Sequence, residues 1–144
     1  MRNLKVIIVY YSFSGNTRKL AQAINKGISQ LTENSKIIAI KGNSGVPDMK
    51  PGDLLEYDVI GFGSPVWFES PATNMMSFIK KLPSLKGKHA FFFLTHGLQP
   101  YDSLPWMIKT LKKKNATVIG WKDWYGSCYP ADMFKPYYSD GHPD

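Results

Sequence analysis

A single cysteine, Cys128, stands among the 144 residues of this chain. That excludes a disulfide framework and any zinc or iron–sulfur site built from several thiolates. Long apolar runs are missing too. None approaches the roughly 20 residues that span a bilayer, and Val6–Tyr11 is too short for the apolar core of a secretory leader. Histidine is sparse: His89, His96 and His142 do not fall at metal-ligand spacing. Negative charge is scarce, with 11 Asp+Glu against 18 Lys+Arg and a formal net charge of +7. Such a balance raises nucleic acid, acidic proteins or acidic membranes as partners. The lysines are dispersed, however, and cluster only at Lys80-Lys81 and Lys112-Lys113-Lys114. They read as solvated helix faces and helix C-termini, where cations are favoured, rather than as a nucleic-acid or membrane surface. With 43% apolar and 20% charged residues, the chain is not of disordered composition. The expectation is one domain over residues 1–144, cytoplasmic, without internal repeats.

What is present is an alternation. Short continuous apolar runs recur at Val6–Tyr11, Ile37–Ile40, Val59–Phe62, Ala90–Leu94 and Ala116–Trp121. Continuous rather than alternating patterns suit strands buried on both faces. Between them lie helical patterns. Leu20, Ile24, Ile28 and Leu31 share a face over Arg18–Leu31. Met75, Met76, Phe78, Ile79 and Leu82 mark Thr73–Leu82, and Leu104, Ile108 and Leu111 mark Leu104–Leu111. Ser103 suits the cap of that last helix and Pro105 its first turn. Lys41–Glu56, rich in Gly and Pro, reads as a loop with at most one helical turn. The pattern predicts an α/β domain, a doubly wound five-stranded parallel sheet with helices on both faces. No helical pattern follows the fifth strand; the final helix of such a fold is missing from the sequence. Truncation of the chain, cover by the Trp/Tyr-rich tail, or cover by another chain would each account for it.

Ligands of open α/β sheets bind beyond the carboxyl ends of the strands. The first loop there, Ser12-Phe13-Ser14-Gly15-Asn16-Thr17, offers hydroxyls, an amide and one glycine just before a helix. Helix N-terminal N–H groups hold a phosphate without a lysine. It is not a Walker A loop, since no lysine follows the glycine. An ordinary helix N-cap is the plain alternative. The second loop, Gly63–Pro71, carries Trp67 and Phe68; the third, Thr95–Tyr101, carries His96 and Tyr101. Flat aromatic surfaces suit a planar ring. A phosphate at one end and a stacked ring at the other describe a mononucleotide, most simply FMN.

Ser12–Thr17 is similar to the [ST]-x-[ST]-G-x-T phosphate loop of the flavodoxin family, and Gly63-Ser64-Pro65-Val66-Trp67-Phe68-Glu69 resembles that family's second flavin loop. The resemblance covers residues 4 to about 121. It implies sheet order 2-1-3-4-5, noncovalent FMN and electron transfer. By position, Ser12, Phe13, Ser14, Gly15, Asn16 and Thr17 would form the phosphate loop. Ser64, Pro65, Val66, Trp67 and Phe68 would flank the ring, with Thr95, His96, Gly97 and Tyr101 on its other side. No catalytic side chain and no metal are implied. Flavodoxins often have a glycine beside the second-loop aromatic, whereas Phe68-Glu69-Ser70 has none, and they are typically acidic. Glu69, Asp102, Asp123 and Asp132 fall in or near the predicted loop edge, so the flavin face can still be locally acidic. The implied function is an FMN-binding electron carrier served by redox partner proteins or an NAD(P)H reductase. The alternative is an NAD(P)H-dependent flavin or quinone reductase of the same fold, with a homodimer as one assembly open to it. A domain of a larger assembly is a third reading.

Overall fold

A computed structural model of the chain describes residues 4–13, 15–40, 51–67, 70–96 and 103–125, excepting the side chains of Pro51, Trp67 and Tyr125. In chain order the elements are β1 (Lys5–Tyr10), α1 (Asn16–Ile28), β2 (Asn34–Ala39), a 3-10 helix (Pro51–Glu56), β3 (Val59–Trp67), β4 (Ser70–Pro71), α2 (Thr73–Lys80), β5 (His89–His96), α3 (Ser103–Lys113) and β6 (Thr117–Tyr125). The long strands are parallel and ordered β2-β1-β3-β5-β6. This is the flavodoxin-like order 2-1-3-4-5 expected from the sequence. The sixth strand, β4, is a two-residue arm that pairs antiparallel with the end of β3.

Strand alternation divides the core into two layers. Ile7, Val9, Ile60, Phe62, Phe92 and Leu94 face one side, where the 3-10 helix contributes Leu54, α2 contributes Met75, Phe78 and Ile79, and α3 contributes Met107 and Leu111. Ile8, Tyr10 and Phe93 face the other, under Leu20 and Ala21 of α1. Burying a side chain such as Leu20 stabilises by about 1.5–3 kcal/mol. The α1 stripe of Leu20, Ile24 and Ile28 packs as the sequence anticipated, whereas Leu31 lies past the end of the helix and is 60% exposed.

On the α1 side the sheet interlocks laterally. A Cβ at Gly61 would lie 2.3 Å from Phe91 Cζ, and one at Gly63 would lie 2.2 Å from Phe93 Cζ. The two phenylalanine rings thus lean across β3 and occupy the space that side chains would take. Between Ala90 and Phe91 the β5–β6 register slips, pairing Ala90 with Val118 but Phe91 with Gly120. Ile119 is the extra residue of a β-bulge.

Several strands run longer than their apolar patterns. β3 continues through Gly63, Ser64 and Pro65, which read as loop residues in the sequence. Its ladder with β1 ends at Gly63, whose carbonyl accepts from Tyr11 N–H at 3.0 Å. Pro65 points the same way one step beyond that ladder, so its missing N–H leaves nothing unpaired. Of Lys41–Glu56, residues 51–56 form the 3-10 helix, about two turns at roughly three residues each and so more than the single turn expected; residues 41–50 lie outside the described residues, as do residues 126–144 and with them the question of a final helix.

The lysine clusters occupy one pole. Lys80 and Lys112-Lys113 lie in the last turns of α2 and α3, at the end of the sheet opposite the loops that follow β1, β3 and β5. Lys114 Nζ donates to the carbonyls of Lys80 (2.8 Å) and Leu82 (2.7 Å), closing the C-terminus of α2. Asn115 ends α3 at φ 67, a left-handed conformation that asparagine tolerates.

Candidate functional site

The β1–α1 connection is shaped by one glycine. Gly15 is the N-cap of α1, with φ 99 and ψ −11. A residue bearing Cβ is strained there, although a Cβ would meet nothing within 4 Å. Gly15 N–H donates to Ser12 Oγ at 3.1 Å, which closes the turn. Glycine offers no capping side chain, so the first N–H groups of α1 keep their partial positive charge for whatever approaches. The first turn contains no acidic residue to compete with an anion. Asn16 and Thr17 are buried beside it. Hydroxyl, amide and backbone donors at a helix N-terminus fit a phosphate group. Phe13, in the same loop, is 78% exposed. Ser14 lies outside the described residues.

The end of β5 meets this loop. Thr95 faces the α1 side of the sheet, and its Oγ1 lies 2.9 Å from Thr17 Oγ1. Both residues are buried, at 5% and 1% exposure. The next residue, His96, faces the opposite side, where its Nε2 lies 2.7 Å from Asp123 Oδ2 of β6. His96 is thus anchored by a carboxylate that the sequence marked only as a loop-edge charge. Trp124, expected in the Trp/Tyr-rich tail after the fifth strand, lies instead within β6, half-buried on the α1 side and paired in register with Thr95. The period-2 alternation of β5 and β6 was the signal available for both, since it separates Thr95 and Trp124 from His96 and Asp123.

The second loop is a hairpin arm. Val66 pairs with Pro71 and Trp67 with Ser70. Ser64 is fully buried; its Oγ donates to Pro65 O (2.8 Å) and accepts from Ala72 N–H (2.9 Å). That hydroxyl ties β3 to the residue before α2. Pro65 and Val66 are half-buried at the strand end. The Trp67 side chain, Phe68, Glu69, Gly97, Tyr101, Asp102 and Asp132 lie outside what is described. The structure therefore brings Ser12, Gly15, Asn16, Thr17 and Thr95 into one group, and sets Ser64, Pro65, Val66 and His96 at the same strand edge.

Residues 7–121 match the family described as the flavodoxin domain. The chain belongs to the flavodoxin domain family. It is 34% identical over 116 residues to quinone-oxidoreductase QR2 of Triphysaria versicolor, an alignment covering 66% of this chain and 57% of that protein. The flavodoxin domain thus spans little more than half the length of that relative. Among solved structures it is similar to the two-electron reduced flavodoxin of Megasphaera elsdenii, with TM-score 0.73, 26% identity, and coverage of 82% of this chain and 84% of that one. It also shares its fold with a flavoprotein of Lactobacillus acidophilus solved in complex with FMN, with TM-score 0.64, 20% identity, and coverage of 83% and 93%.

Proposed function

We propose that this flavodoxin domain binds FMN and serves as a cytoplasmic electron-transfer flavoprotein. The observation that carries the reading is the cradle at the start of α1. A left-handed Gly15 at the N-cap is followed by the buried polar side chains of Asn16 and Thr17, with no acidic residue in the first turn. Family membership supports the same ligand, and so does the Lactobacillus acidophilus flavoprotein of this fold, whose structure contains FMN. Ser12, Ser14, Asn16 and Thr17 hold the phosphate together with the first N–H groups of α1. Pro65, Val66, Trp67 and Phe68 wall one side of the ring; His96, Gly97 and Tyr101 stand on the other. When bound, the flavin supplies the electron-transfer chemistry. The chain's own work is to bind it, orient it and leave one edge accessible to redox partner proteins. No side chain need act as acid or base.

Titration of FMN with the protein tests this. Quenched flavin fluorescence and a shifted visible spectrum are expected, with riboflavin bound more weakly because it lacks the phosphate. Thr17→Ala should weaken FMN more than riboflavin. No spectral change at micromolar protein removes the reading.

A second reading rests on the Triphysaria versicolor relative, whose name assigns it a quinone oxidoreductase activity. In that reading the same site takes hydride from NAD(P)H and passes electrons to a quinone. Steady NAD(P)H consumption dependent on added quinone decides for it; reduction only through a partner reductase decides for the carrier.

A further inference from the structure

The contact between Thr17 and Thr95 carries an argument about direction. A hydroxyl has one hydrogen to donate and lone pairs to accept with. At 2.9 Å the two oxygens share one hydrogen bond, and in the protein alone either can be its donor. An anion on the α1 cradle removes that freedom. A phosphate oxygen at neutral pH accepts and does not donate, so a Thr17 hydroxyl turned toward it spends its only hydrogen. The bond to Thr95 then survives only if Thr95 donates.

We infer that Thr95 is a positioning residue for the phosphate site: it acts through Thr17, donating to Thr17 Oγ1 so that the Thr17 hydroxyl points its hydrogen at the phosphate. The inference rests on the FMN reading above. Thr95 is suited to the task. Its backbone is held on both sides, in register with Pro65 of β3 and Trp124 of β6. Its β-branched side chain has restricted χ1 freedom. It is 5% exposed, so water does not readily replace it as donor. The sequence resemblance placed Thr95 at the ring; the contact places its hydroxyl behind the phosphate loop, reached from a strand 78 residues away in sequence.

The test compares FMN with riboflavin in five proteins: wild type, Thr95→Val, Thr95→Ser, Thr17→Val and the double variant Thr17→Val/Thr95→Val. Dissociation constants come from flavin fluorescence, and urea melts of the flavin-free proteins report folding. Thr95→Val is nearly isosteric and lacks the donor. It should weaken FMN by about five- to thirty-fold, the range for a hydrogen bond that supports a charged ligand, and leave riboflavin within about two-fold of wild type. Thr95→Ser keeps the hydroxyl and should restore FMN binding. Adding Thr95→Val to Thr17→Val should cost no further FMN affinity, because Thr95 has nothing left to orient. The double variant replaces both hydroxyls with methyls and keeps the comparison available where Thr95→Val alone does not fold. Equal loss of FMN and riboflavin in Thr95→Val overturns the inference, as does a further FMN loss in the double variant beyond Thr17→Val. Unchanged FMN binding in a folded Thr95→Val overturns it too. Failure of the wild type to prefer FMN over riboflavin overturns instead the reading on which it rests.

Discussion

Replacing Gly63 with alanine adds one methyl group where there is no room for it. The ideal Cβ would sit 2.2 and 2.3 Å from Phe93 Cζ and Cε2, well inside the 3.5–4.0 Å of a favourable carbon–carbon contact. The backbone does not object, because Gly63 is not among the described glycines with positive φ. Alanine would even gain about 0.4–1 kcal/mol from a less free unfolded chain. Packing decides the sign. Phe93 is 1% exposed and shares its cluster with Ile8, Tyr10, Leu20 and Ala21, so its ring cannot swing out. Overpacking of this kind costs about 1–3 kcal/mol. The net expectation is a loss of about 1–2 kcal/mol, seen as a lower urea midpoint at unchanged m-value, or a Tm lower by very roughly 3–10 °C. Two controls isolate the cause. Gly61→Ala meets Phe91 at a similar 2.3 Å, but Phe91 is only half-buried and can turn toward solvent; its cost should be the smaller. In a Phe93→Leu background the ring is gone, and Gly63→Ala should cost less than about 0.5 kcal/mol, because the clash that sets the overpacking cost is absent. A Gly63→Ala protein as stable as wild type, or one equally destabilised in both backgrounds, would falsify the ring-over-glycine account.

Three further outcomes follow from hydrogen bonds at the strand ends and helix caps. Ser64→Ala takes the acceptor from the buried Ala72 N–H and should lower stability by about 1–3 kcal/mol in urea melts, with faster amide exchange at Ala72. Lys114→Met keeps the aliphatic stem but drops both donors to the end of α2; a loss of about 1 kcal/mol is expected, and Lys114→Arg should recover part of it. Asp123→Asn keeps an oxygen for His96 Nε2 and should cost less than Asp123→Ala, which removes the acceptor from a 6% exposed histidine at about 1–3 kcal/mol. Equal melts for the two Asp123 variants would mean that the bond contributes nothing.

The strands of the sheet and the faces of its helices were legible because burial on both sides leaves a plain mark, whereas the strand order came from the family resemblance. Runs such as Val6–Tyr11 have few other uses, and the stripe of Leu20, Ile24 and Ile28 has one natural direction to point. The turn at the start of α1 was legible for a local reason: Gly15, the one glycine between β1 and the helix, takes the left-handed conformation at its N-cap. Strand ends were not. β3 runs on past its ladder with β1 because β5 pairs it as far as Pro65 and β4 pairs Val66 and Trp67, facts about pairing that Pro65 hides. Thr17–Thr95 and His96–Asp123 join residues far apart in sequence. Each could be assigned to a face of its strand beforehand, but not to a partner. Ser64 likewise spends its hydroxyl on Ala72 N–H, a tie between β3 and the residue before α2 that its place in the second loop did not announce.

The bulge at Ile119 has a bearing on how copies of this chain tolerate crowding. Among the described residues β6 is an outer strand, and Ile119 and Trp121 on it are 56% and 50% exposed. A flat outer strand with such side chains is a template on which a neighbour's strand can zip up. The extra residue breaks the even spacing of unpaired N–H and C=O groups along that edge and adds local twist. Lys122 and Asp123, directly after, set charges where an incoming strand would lie. Removing Ile119 to straighten the edge would tidy the ladder with β5 and, by the same stroke, give aggregation a straight edge to start from.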